Sequence, residues 1–147
     1  IKNYGEYYQQ VFKNVLGVNI TLDFNEWGTF QSKTYAGEYQ MGYMVWGIDY
    51  NDPYAMLSLM VSNSGNIPTF WENEKYDELI AQSSVEMDEA KRVELYKEAE
   101  NLLFNEGCAL CPIVNESANT YRYSYMKNMA TMPFTTTGLK YVYTSGR

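Results

Sequence analysis

The chain contains no histidine, two cysteines and no apolar run long enough to cross a membrane as a helix. Each shortage removes something. Without histidine, the usual Ser-His and Cys-His nucleophile pairs are unavailable, and so is the commonest metal ligand. Cys108 and Cys111 form a C-x-x-C with no second pair, so a zinc site is unsupported and no metal is expected. Neither G-x-x-x-x-G-K-[ST] nor G-x-G-x-x-G occurs, which removes the phosphate cradle of nucleotide binders, and no cofactor is expected. Basic residues are scarce as well, 11 against 18 acidic, for a net charge of -7. A partner rich in phosphate needs a basic face, so nucleic acid and anionic membrane are excluded as expected partners.

What is present is unevenly placed. Residues 1–115 hold seven basic and 17 acidic groups, a net of -10, whereas residues 116–147 hold four and one, a net of +3. The 15 tyrosines each offer a large apolar face with a polar tip, which suits a wet carbohydrate or peptide surface as well as a core. The 147 residues suffice for one domain burying roughly 68–70% of its unfolded surface. Ile1 already belongs to a periodic pattern, so the sequence reads as a piece of a longer protein.

Helical spacing of Ile1, Tyr4, Tyr8, Val11, Phe12 and Val15 predicts a helix stopped by Gly17. Alternation predicts a strand over Val18–Phe24. Asn25-Glu26 then opens a short helix through Trp27, Phe30 and Gln31 that ends near Gly37. A second strand is expected from Tyr39 to Trp46, with Tyr39, Met41, Tyr43 and Val45 on one face. That order implies parallel βαβ units in an α/β domain. Beyond the turn-rich stretch from Val61 to Phe70, Asn73 and Asp88 are expected to cap two helices. Tyr76, Leu79 and Ile80 face inward in the first; Val93, Tyr96, Ala99 and Leu103 do so in the second, up to Gly107. Residues 72–106 carry 11 acids and four bases, read as a solvated helical face. Cys108–Val114 reads as a buried strand holding both cysteines, followed by alternating Tyr121, Tyr123 and Tyr125. A Thr-rich stretch and a short segment from Leu139 to Tyr143 close the chain.

Trp46-Gly47-Ile48-Asp49-Tyr50-Asn51-Asp52-Pro53 is the segment richest in chemistry. Asp52-Pro53 marks a helix start, the carboxylate capping free amides and the proline sitting in the first turn. Asp49 has no such local duty. At the carboxyl end of the second expected strand it would occupy the crevice where open α/β sheets hold ligands. A carboxylate beside tryptophan there suits a cationic guest; it equally suits a plain surface turn. Asp49 with Asp52, or Glu72 with Glu74, could also serve as the carboxyl pair of a glycan hydrolase, though nothing in the spacing selects them.

Several segments together resemble the C-terminal lobe of the solute-binding proteins that serve ABC importers of oligopeptides, dipeptides and nickel, family 5 of that group. They are Leu16-Gly17-Val18, Asn25-Glu26-Trp27, Trp46-x-x-Asp49-Tyr50-x-Asp52-Pro53, and Trp71-x-Asn73-x-x-Tyr76-Asp77-x-Leu79-Ile80. Arg92, Leu95, Tyr96, Ala99 and Glu100 follow, then Cys111-Pro112-Ile113-Val114. The resemblance implies a two-lobed, class II binding-protein fold with a mixed or parallel sheet flanked by helices. Residues 1–116 would form part of the C-terminal lobe, and residues 117–147 would return to the N-terminal lobe. It implies no catalytic residues. Asp49 would take the α-amino group of a peptide, with Trp46, Gly47, Val45 and Tyr43 lining the ligand. A nickel chelate or an oligosaccharide is the alternative solute. The expected partners are the solute, the ABC permease in the membrane and the N-terminal lobe. The expected location is extracytoplasmic, in the periplasm or at the surface as a lipoprotein. Residues 117–147, with Tyr121, Tyr123, Tyr125, Met129 and Phe134, are expected to lack their native cover.

Overall fold

Local signals position the helices, and the first of them ends where glycine permits. The computed structural model describes residues 2–115, 117, 119–129 and 139–146. Helix α1 (Lys2–Leu16) stops at Gly17, whose φ of 69° is left-handed and sterically free for glycine alone. The amides of Gly17 and Val18 return to the carbonyls of Lys13 and Phe12, closing the helix end. The chain divides into two units, Ile1–Tyr43 and Met44–Arg147, each with its own internal structure.

In the first unit, α2 (Trp27–Tyr35) begins at Glu26, whose carboxylate accepts the amides of Thr29 at 2.8 Å and Gly28 at 3.1 Å. The Thr29 amide above all holds that carboxyl below its ordinary range. Lys33 Nζ reaches back 2.7 Å to Asp23, fastening the residues before α2 to its last turn. Gln9 donates to the Ile20 carbonyl at 2.8 Å, tying the segment after α1 to α1 itself.

The two expected strands of this region do not form. Residues 18–24 and 39–46 carry no regular secondary structure. Alternation supplied a strand-like pattern, but a strand also needs a ladder partner. Among the described residues the one ladder is antiparallel, between β1 (Met126–Lys127) and β2 (Tyr143–Thr144). The parallel βαβ arrangement is therefore absent from the described residues.

The second unit has a continuous core. It starts with α3 (Tyr54–Leu57) and a 3₁₀ turn, Ser58–Met60, then α4 (Glu74–Val85) and α5 (Glu89–Asn101), which runs into a π-helical turn, Leu102–Glu106. Leu57, Leu59, Met60, Tyr76, Leu79, Ile80, Tyr96, Ala99, Leu102 and Leu103 are buried together. Asn73 caps α4 through the Tyr76 amide, and Asp88 caps α5 through those of Ala90 and Lys91, as the sequence predicts. Tyr76, wholly buried, donates its hydroxyl to the Leu57 carbonyl at 2.7 Å. Asp77 accepts the Ser62 amide at 2.9 Å. These two neighbours on α4 thus hold the chain on either side of the 3₁₀ turn that follows α3.

Two expectations in this unit need correction. Val93 is exposed; Leu102, next to Leu103, takes the inward place, and the Gly107 amide bonds Leu102 across the wide turn at 2.8 Å. The Trp71 indole lies directly over Gly107. Cys108 and Cys111 are exposed free thiols and not core residues; the chain turns at Cys108 with a φ of 48°. Only Ala109 and Leu110 of that segment pack against the core.

Farther on, Tyr121 and Tyr123 are exposed while Tyr125 and Met129 are half-buried, and the Tyr123 and Tyr125 rings stack with centroids 5.0 Å apart. Phe134 and most of the Thr-rich stretch lie outside the described residues.

Candidate functional site

The segment from Met44 to Pro53 has no regular structure until the turn that opens α3. Val45, Trp46 and Gly47 are exposed, Trp46 at 39%. A β-carbon built on Gly47 would meet nothing within 4 Å, so the main chain there stands open to approach. Ile48 is half-buried. Asp49 follows, exposed, with no hydrogen bond or ion pair to any described residue. Tyr43 belongs to the first unit, where its ring stacks on that of Tyr4 at 6.2 Å. Of the five residues singled out in the sequence, four thus share one loop, and Tyr43 is described apart from them.

The end of the loop is built quite differently. Asp52 Oδ1 accepts the Tyr54 amide at 2.8 Å, the capping role expected of it, and also the Tyr96 hydroxyl at 3.0 Å. Its Oδ2 pairs with the Arg92 guanidinium at 2.8 Å. The same guanidinium donates from Nε to the Ser83 carbonyl at 3.0 Å and lies 5.3 Å over the Tyr96 ring. One carboxylate therefore joins the loop, α3 and α5, while Arg92 adds the C-terminal end of α4. Partial burial pushes the Asp52 carboxyl up. The Tyr54 amide, the Tyr96 hydroxyl and Arg92 together outweigh it, and hold the group below the ordinary carboxylate range. Burial, before any partner, keeps the Tyr96 phenol protonated.

This bears on chemistry. A general acid needs a raised carboxyl pKa, and Asp52 shows the reverse, so Asp52 does not suit the acid role of such a pair, and its oxygens are already engaged by Tyr54, Tyr96 and Arg92. Glu72 and Glu74 are both exposed. Among the described residues no group of three or more cysteine, aspartate or glutamate side chains could hold a metal ion. A concavity of about 990 Å³ runs along α4 and α5, lined by Val85, Met87, Lys91, Leu95 and their neighbours, and includes no residue of the Asp49 loop.

The links from Asp52 to Arg92 and Tyr96 were not visible in the sequence. Arg92 and Tyr96 stand four apart on one helical face, a spacing that lets both reach one acceptor. Nothing in that spacing says which acceptor it is.

No family model matches the chain. It is 41% identical over 99 residues to the oligopeptide-binding protein OppA of Bacillus subtilis, a match covering 67% of this chain and 18% of that protein. With the dipeptide-binding protein DppE of the same organism the identity is 37% over 105 residues, 71% of this chain and 19% of the relative. The crystal structure of a periplasmic oligopeptide-binding protein from Borrelia burgdorferi superposes with a TM-score of 0.69 at 29% identity, covering 74% of this chain and 22% of that one. The chain spans about a fifth of the length of these proteins. Such neighbours have the two-lobed α/β binding-protein fold that the sequence resemblance implies, of which this chain is a part.

Proposed function

Because the chain belongs to the oligopeptide- and dipeptide-binding family of solute-binding proteins, we propose that it is part of an extracytoplasmic receptor for short peptides. The receptor captures its ligand by hinge closure of two lobes and hands it to an ABC permease. It works in the periplasm or tethered at the cell surface as a lipoprotein. In this reading residues 1–116 belong to one lobe and residues 117–147 return to the other.

The observation that carries the proposal is Asp49: an exposed carboxylate, unengaged among the described residues, in a loop whose other acid is fully committed. A peptide α-ammonium meeting it forms a charge-assisted hydrogen bond, about 1.5–3 kcal/mol when well made. The open main chain at Gly47, beside exposed Val45, suits strand-like pairing with an extended peptide, which tolerates varied side chains. Trp46 then serves as a rigid wall. Lobe closure removes water from the pair, and the pair gains from desolvation only if its geometry is good.

Calorimetry on the full-length protein tests this. Asp49→Asn should weaken a peptide with a free amino terminus by roughly ten- to a hundredfold. An N-acetylated peptide should lose little. Equal affinity of wild type and variant for the free-amine peptide would refute the assignment.

A further inference from the structure

The geometry points to Arg92 and Tyr96 as positioning residues for ligand recognition, acting through Asp52 on the direction of the Asp49 carboxylate. The inference rests on the amine-binding role proposed for Asp49 and goes beyond it by naming what aims that side chain.

From Val45 to Asn51 the side chains are exposed, except for half-buried Ile48. Such a loop does not fix its own course. Its firm point is Asp52, two residues beyond Asn51's neighbour Tyr50, whose carbonyl accepts the Asp52 amide at 3.0 Å. That bond makes the backbone of Tyr50–Asp52 a tight turn, so the placement of Asp52 sets the course of the chain leaving Asp49. Asp52 in turn is placed by three donors: the Tyr54 amide, the Tyr96 hydroxyl and the Arg92 guanidinium. The first is local and would hold Asp52 only to α3. The other two come from α5, and Arg92 is itself steadied by the Ser83 carbonyl of α4 and by the Tyr96 ring.

Arginine is suited to this junction for a physical reason. Its planar fork serves Ser83 through Nε and Asp52 through a terminal nitrogen at once, which a lysine ammonium on a flexible stem does not reproduce. Binding groups held in advance lose less entropy when the ligand arrives, so a fixed Asp49 binds better than a wandering one. Neither Arg92 nor Tyr96 needs to touch the ligand for this to hold.

The test compares trialanine with N-acetyl-trialanine on the full-length protein, by calorimetry well below the unfolding temperature. Six forms are measured: wild type, Asp49→Asn, Arg92→Gln, Tyr96→Phe, and the last two each combined with Asp49→Asn. Positioning predicts that Arg92→Gln and Tyr96→Phe weaken trialanine roughly two- to thirtyfold while N-acetyl-trialanine changes little. In the Asp49→Asn background the same substitutions should add almost nothing, since there is no longer a carboxylate to aim. Equal weakening of both peptides would reduce the junction to a structural role and overturn the inference. So would an unchanged ratio in Arg92→Gln and Tyr96→Phe beside a collapsed ratio in Asp49→Asn. An intact ratio in Asp49→Asn itself is a separate result, which removes the amine role and this inference with it. Tyr96→Phe keeps the ring and deletes one hydroxyl, so the comparison survives even if Arg92→Gln does not fold.

Discussion

The Trp71 indole lies so close over Gly107 that a β-carbon there would sit 2.6 Å from Nε1 and 2.8 Å from Cε2. The backbone of Gly107 is unstrained, with φ at -82°, so it is this close approach that calls for glycine at the site. Trp71 also meets the Tyr76 ring edge-on at 5.1 Å, which leaves the indole little room to retreat.

Gly107→Ala should therefore destabilise the protein by about 1–3 kcal/mol, the usual cost of forcing an atom into a filled site. Urea unfolding measures it, and tryptophan emission should shift with the displaced indole. A variant as stable as wild type would show that the indole moves aside freely.

Asp52 gives a pH dependence with a definite sign. Its folded pKa is depressed, so the group adds stability above its unfolded pKa, near 3.9, and that stability is lost as pH falls through the lower folded value. Urea midpoints followed downward from pH 6 should fall less steeply for Asp52→Asn than for wild type, and Asp52→Asn should be the less stable form at pH 6. Asp23, held down chiefly by Lys33, and Glu26, held down chiefly by the Thr29 amide, leave a residual acid slope in both. Parallel pH curves would deny Asp52 its role as a charged anchor.

Cys108 and Cys111 should react with Ellman's reagent in the reduced native protein, releasing two equivalents without denaturant. If only the unfolded chain gives both, one thiol is covered and the outward turn at Cys108 is wrong.

The helices were legible because their signals are local. Gly17, Glu26, Asn73 and Asp88 each act within a turn of where they stand, so reading them needs no knowledge of the rest of the chain. The strand pattern of residues 18–24 was equally plain, but pairing is decided elsewhere, and alternation alone cannot supply a neighbour. The cysteines misled for a related reason: their apolar surroundings, Ala109 to Val114, looked like core, and the turn at Cys108 that carries them outward has no strong sequence mark. At the candidate site, Asp49 and Trp46 were singled out through motif and loop position. The partnership of Asp52 with Arg92 and Tyr96 joins the loop to α5, and becomes visible only once those two lie together.

Asn19 to Phe24 make no backbone-to-backbone hydrogen bonds among the described residues, and Ile20 finds only a glutamine side chain for its carbonyl. A stretch so rich in β-branched and apolar residues, with its amides and carbonyls unclaimed by other backbone, is a template for any other strand it meets. Expressed alone, this polypeptide would tend to recruit copies of itself along that segment, so that aggregation rises with concentration while the helices stay folded.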